Sequence, residues 1–176
     1  MSNISKARRS GGFTLVEIII VVVIIAIIAA LAGPRIIKAF GGSDANDELQ
    51  NMQQLFGNLK ELKGRTGYGA NGTSLVAQLA SKGALPGAWV YDDTSLTNRW
   101  GGAITITSTG PAVQVTSANI PAPACNTLST RLGGQGVRTT SINGGPAITG
   151  EVTSAAASEA CGDEDEVAAL SWTTSS

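Results

Sequence analysis

Hydrophobic positions fall into three regimes along this chain. From Ile18 to Gly33 no side chain is polar, and Phe13 to Gly33 as a helix would be about 31 Å long, close to the roughly 30 Å of a bilayer's hydrocarbon core. From Ala45 onward, Leu49, Met52, Leu55 or Phe56, Leu59 and Leu62 recur at steps of three and four. That spacing predicts one apolar face on a helix running to about Lys63. Beyond it the pattern is of short elements. Ser74 to Lys82 reads as a brief helix ending at Gly83, and Leu85 to Gly102 as a loop carrying Trp89, Tyr91 and Trp100, aromatics expected to fill core or cover a helix. Ala103 to Thr107 and Ala112 to Ser117 read as paired strands around Ser108-Thr109-Gly110-Pro111, and Pro121 to Leu132 as a helix closed by Gly133-Gly134. Val137 to Ile142, Ala147 to Thr153 and Val167 to Thr173 read as strands.

The β-branched run from Ile18 to Ile28 forms helix poorly in water, but in lipid a helix is the only single-segment way to satisfy the backbone. Lys6, Arg8 and Arg9 stay on the cytoplasmic side by the positive-inside rule, which carries everything after Gly33 across. Two plain readings account for this segment in part. A secretory signal peptide would explain Ala30-Leu31-Ala32 before Gly33 as a cleavage site, and a simple membrane anchor would explain the length. Neither explains Glu17. A carboxylate about one turn into lipid costs on the order of 2 to 3 kcal/mol, so it calls for a partner or a function. A cut just before Phe13 would supply one, because it creates an α-amino group four residues away, on this chain or a neighbour.

Composition narrows the chemistry. Only 14% of the 176 residues are charged and none is histidine, which leaves imidazole-based zinc and Ser-His-Asp or Cys-His chemistry without its residues. No enzymatic activity and no cofactor or metal is expected. The formal charge of −1 includes no basic excess after residue 9, which disfavours nucleic acid as a primary partner. Removal of residues 1–12 would lower the basic count from 12 to 9 against 13 acids, a formal charge of −4. Asp163 to Glu166 is an acidic run without the spacing of a calcium loop, so a solvated loop is expected.

Gly11-Gly12-Phe13-Thr14-Leu15-Val16-Glu17, the aliphatic run and Gly33-Pro34 together resemble the type IV prepilin signature. The resemblance implies cleavage between Gly12 and Phe13 by prepilin peptidase, N-methylation of Phe13, and assembly with copies of itself into a helical filament cored by these helices. It also implies that Glu17 neutralises the terminal amine of an adjacent Phe13. The other implied partners are the inner membrane before assembly and its pilus assembly machinery. Localisation would pass from inner membrane to extracellular pilus. Pro34 removes a backbone donor, so Gly33 and Pro34 are expected to kink or melt the helix. Gly41-Gly42 offers a second break, with Ser43 or Asp44 as the next N-cap. The same topology puts Cys125 and Cys161, the chain's two cysteines, where oxidation is permitted, and a disulfide between them is expected.

Tyr68-Gly69, Leu85-Pro86, Asn98-Arg99-Trp100-Gly101-Gly102 and the large carboxy-terminal cysteine loop further resemble the type IVb, PilS-like pilins. That group often has longer leaders and a first mature residue other than Phe, from which this chain departs. The expected fold is α+β: a cleaved leader over 1–12, a transmembrane and filament-core helix over 13–34, an amphipathic continuation over 35–63, and a region over 64–176 with an antiparallel sheet and a disulfide-bounded end. The expected role is the major subunit of a pilus serving adhesion, aggregation or conjugation. The alternatives are a minor pilin, a type II secretion pseudopilin, or a monomeric binding module, anchored or secreted.

Overall fold

The computed structural model describes residues 15–93, 95–163 and 166–174; within helix α1 the side chains of 15–18, 22 and 24–42 lie outside the description. The chain divides into two units, Met1–Ala39 and Phe40–Ser176. Helix α1 (Leu15–Leu62) contributes to both. In the first unit its described side chains Ile19, Ile20, Val21 and Val23 are all about half exposed.

In the second unit the predicted stripe is the spine of the core: Ala45, Leu49, Met52, Leu55, Phe56 and Leu59 are buried, and Leu62 packs against them. Both Leu55 and Phe56 face inward. The break expected at Gly41-Gly42 is absent, since the helical assignment runs through it and encloses Ser43 and Asp44. Two interior glycines cost about 1 kcal/mol each relative to alanine. Burial of Ala45 and Leu49 just downstream, with ion pairs from Asp44 and Asp47, offsets that cost. The helical assignment also runs through Gly33 and Pro34.

Helix α2 (Val76–Ser81) follows, then a small hairpin of β1 (Val90–Tyr91) and β2 (Leu96–Thr97) inside the expected loop. Next come β3 (Ile104–Ser108), β4 (Val113–Pro121), α3 (Ala122–Leu132), β5 (Val137–Ile142), β6 (Ile148–Thr149), α4 (Ser154–Cys161) and β7 (Val167–Thr174). The main sheet has the order β3-β4-β7-β5-β6, and every pairing is antiparallel. Burial alternates along its strands as a period of two requires: Ala168, Leu170 and Trp172 of β7 are inside, while Ala169, Ser171 and Thr173 face outward. The inner face meets α1, and α3 shares that core through Ala124, Cys125, Leu128 and Leu132.

Two expectations are corrected here. The strand predicted from Ala147 to Thr153 is reduced to Ile148–Thr149, because Gly150 turns the chain at φ 79°. Thr153 then becomes an N-cap, its hydroxyl accepting from the Ala156 amide, and starts the unforeseen helix α4.

Candidate assembly site

Gly12 and Phe13 lie outside the described residues. Glu17, Gly33 and Pro34 lie in the helical backbone of α1, with their side chains outside the description. Charge pairing at Phe13 and flexing at Pro34 therefore rest on the sequence. No helix built of fully described residues is long and apolar enough to cross a membrane, and the run from Ile18 to Gly33 falls largely outside them, so insertion too rests on the sequence argument.

Cys125 and Cys161 are bonded, with their Cα atoms 5.9 Å apart. The bridge joins the first turn of α3 to the last residue of α4. It thereby closes the carboxy-terminal region onto the core, both cysteines being buried.

A polar cluster that spacing did not reveal joins α1 to the loops. Glu48 is fully buried; the Trp89 indole N–H donates to its Oε1 at 2.9 Å and the Asn51 amide to its Oε2 at 3.3 Å. Burial raises its pKa above the ordinary carboxylate value, and the hydrogen bonds from Trp89 and Asn51 and the Arg99 charge only partly oppose that. Position 48 falls three after Ala45 and four before Met52, inside the apolar stripe, and that misfit is the signal that could have found it. Beside it Arg99 bridges Asp44 at 3.2 Å and Asp47 at 3.1 Å, and donates to the Asp44 carbonyl.

Arg99 is held in place by the turn that contains it. The Asn98 side-chain Oδ1 accepts from the backbone amides of Trp100 at 3.0 Å and Gly102 at 2.8 Å. Its side-chain Nδ2 donates to Ser117 Oγ at 2.9 Å and the Ala118 carbonyl at 2.8 Å. Asn119, in a left-handed conformation where the β4/β7 register shifts, donates to the Trp100 carbonyl. Gly102 packs so closely on Ala118 that a Cβ would overlap the Ala118 carbonyl. The motif Asn98-Arg99-Trp100-Gly101-Gly102 is thus a clasp anchored by the buried Asn98 and Gly102 that presents one exposed cation to the helix. Of the three loop aromatics, Trp89 is buried, while Tyr91 and Trp100 are half-buried against the core.

Among the described residues no three metal-ligating side chains converge.

The comparisons agree with that geometry. The family described as PilS N terminal matches residues 42–175, three quarters of the chain, and the prokaryotic N-terminal methylation motif matches residues 7–33. The chain belongs to the PilS family of type IVb pilins. Among solved structures it is similar to the NMR structure of the type IVb pilin PilS from Salmonella typhi, with a TM-score of 0.51 and 28% sequence identity over 74% of this chain and 95% of that one. No curated protein sequence matches it. A type IVb pilin is a structural, non-enzymatic subunit, and the α+β fold with its Cys125–Cys161 bridge is the pilin fold.

Proposed function

We propose that this pilin is the major, shaft-forming subunit of its pilus, made as an inner-membrane precursor, cut between Gly12 and Phe13, N-methylated on Phe13 and polymerised through its amino-terminal helix. The observation that carries the reading is the unsatisfied aliphatic surface of α1. Ile19, Ile20, Val21 and Val23 are 53%, 54%, 48% and 51% exposed. Successive helical residues are about 100° apart, so they point to several sides of the helix rather than to one face. Such a rod is satisfied by lipid or by helices all around it. A shaft position offers neighbours on every side, whereas a filament tip offers them only below.

Within that shaft Glu17 serves as the counter-charge for the Phe13 amine of an adjacent copy, because a lone carboxylate in an apolar bundle is otherwise costly. Gly33 and Pro34 supply a point where the helix extends or bends as copies pack. The test is to shear surface fibres from cells and identify their main component and its first residue. The proposal expects this chain as the dominant band, beginning at N-methylated Phe13, and expects Glu17→Ala to be processed and inserted normally but to yield no fibres. A processed chain that is scarce in the fibres would assign a minor pilin or pseudopilin instead. An uncut chain, or one beginning at Gly33, would remove the filament reading.

A further inference from the structure

The second unit is electrostatically two-ended, and the topology shows it without reference to any neighbour. At one end lie the Asn98 clasp, the Ile120↔Ala168 and Pro121↔Val167 pairings and the start of α3, whose Ala122 amide donates to the Glu166 carbonyl. Asp44, Asp47 and the buried Glu48 are at this end with Arg99, and exposed Asp163 and Glu166 join them through the α4–β7 connection. At the opposite end lie the pairings Gln114↔Thr173 and Val137↔Thr174 and the close of α3, tied by the Gly133↔Val137 bridge. The Lys60 ammonium there lies against Gly136. Lys63 and Arg65 follow α1 at this end, and Arg131 and Arg138 flank the Gly133 bridge; all five cations are exposed, against the two acids Glu61 and Glu151.

Asp44 and Lys60 are sixteen helical residues apart, about 24 Å, roughly three times the ~8 Å Debye length at physiological salt. The two ends therefore do not neutralise one another within a subunit. None of the described ion pairs engages Lys63, Arg65, Arg131 or Arg138. Opposite charge at opposite ends of one molecule suits a head-to-tail contact, which builds an open filament wherever its rotation does not close into a ring.

We propose that the acidic end of one subunit docks on the basic end of the next along the filament, the partner of each end being a second copy of this chain. The inference rests on the filament reading above and adds the surfaces that set the axial register. Arg131 and Arg138 lie within the disulfide-bounded region at one end, and Asp163 and Glu166 follow its close at the other, so a stacked copy brings them toward each other.

The test uses the full-length chain in cells whose wild-type protein forms fibres. Arg131→Glu with Arg138→Glu reverses one end, Asp163→Lys with Glu166→Lys reverses the other, and all four together swap both. The readout is the fraction of processed, disulfide-bonded subunit recovered in sheared fibres. Each one-ended reversal is expected to lower that fraction at least about tenfold, by placing like charges together, and the fourfold variant to recover most of it. Normal fibre recovery from either one-ended variant, or a fourfold variant no better than its parents, would overturn the docking. If reversal lowers the level of processed subunit itself, Arg131→Gln with Arg138→Gln replaces it. Its fibres are expected to fall apart at lower salt than wild-type fibres, and equal salt resistance overturns the proposal. Absence of fibres from the wild-type chain would instead sink the filament reading, so the two failures are distinguishable.

Discussion

Replacing Asn98 by Ala removes one buried side chain that serves four partners. Gly102 N–H and Ser117 Oγ are left inside the protein, while the Trp100 N–H and Ala118 carbonyl are nearer solvent. A buried group stripped of its partner costs about 1 to 3 kcal/mol. The Ser117 hydroxyl can rotate toward another acceptor, and the two shallower groups can reach water, so the Gly102 amide and the vacated volume dominate, at about 3 to 4 kcal/mol in total. For a cooperative unit the size of residues 40–176, an unfolding entropy of about 2.1 cal/mol/K per residue converts this to a fall of about 12 °C in melting temperature. The assay is thermal unfolding of the mature chain in detergent, followed by near-ultraviolet circular dichroism. Asn98→Asp refines the reasoning: it keeps the acceptors for Trp100 and Gly102 but loses both donated bonds and buries a charge. Burial raises the pKa of the introduced carboxyl, so this variant should gain on the wild type as pH falls through the carboxylate range. A loss below about 1 kcal/mol for Asn98→Ala would refute the clasp as the determinant of this end of the fold.

Removing the bridge with Cys125→Ala and Cys161→Ala frees a loop with a sequence separation of 36 and should cost about 4 kcal/mol on the chain-entropy account. Reductant should lower the wild-type melting temperature by a similar amount and leave the variant unmoved. Glu48→Gln should change the pH dependence of stability. Because burial raises the folded-state pKa, the protonated carboxyl stabilises fully below the ordinary value of 4.5, and that contribution is lost as pH rises through the raised value. Denaturant titrations from acid to neutral pH should therefore show the wild type losing ground to the Gln variant. A gap that stays flat, or moves the other way, contradicts the burial argument. Thr140 is fully buried with no hydrogen-bond partner for its Oγ1, so Thr140→Val should be neutral or stabilising by about 1 kcal/mol in the same titrations.

What was legible in the sequence follows how each feature is encoded. The stripe from Ala45 to Leu62 was readable because burial against one sheet face demands helical periodicity, and β3, β4, β5 and β7 were readable because one buried face demands alternation. Cys125 and Cys161 followed from their compartment and their number. Helix α4 was not readable: its eight residues, all small except Glu159, are too few for a period, and its start depends on Thr153 capping after the turn at Gly150. Local propensity argues for a break at Gly41-Gly42, yet the helix runs through it, and just downstream Asp44 and Asp47 are held by Arg99, more than fifty residues away in sequence. Glu48 is not legible as a core residue by spacing alone, because its partner Trp89 arrives from a distant loop. The assembly residues show the reverse case. Phe13 and Glu17 stand out in the sequence because a carboxylate inside an apolar run has no partner within its own helix, and the role proposed for them lies between chains.

Helix α1 is one segment with two kinds of apolar surface, and the difference bears on what drives assembly. From Ala45 onward its apolar side chains are buried in the core they share with the sheet of the same chain. Around Ile19 to Val23 they are half exposed, and covering the remainder of those four side chains is worth about 3 to 6 kcal/mol relative to water. That energy keeps a finished filament from dissolving. It does not draw a subunit out of the membrane, because lipid tails are as apolar as the aliphatic side chains they would yield to. Transfer from bilayer to filament is close to neutral in hydrophobic terms, so the decision falls to polar contacts absent from the bilayer. Two are available to this chain: the pairing proposed for Glu17 inside the helix bundle, and the opposed charges proposed to meet between stacked domains. On this account Glu17→Ala and a one-ended charge reversal should fail alike, with processed subunit accumulating in the membrane. Substituting Ile20→Leu, which preserves apolar surface, should leave both insertion and polymerisation unchanged.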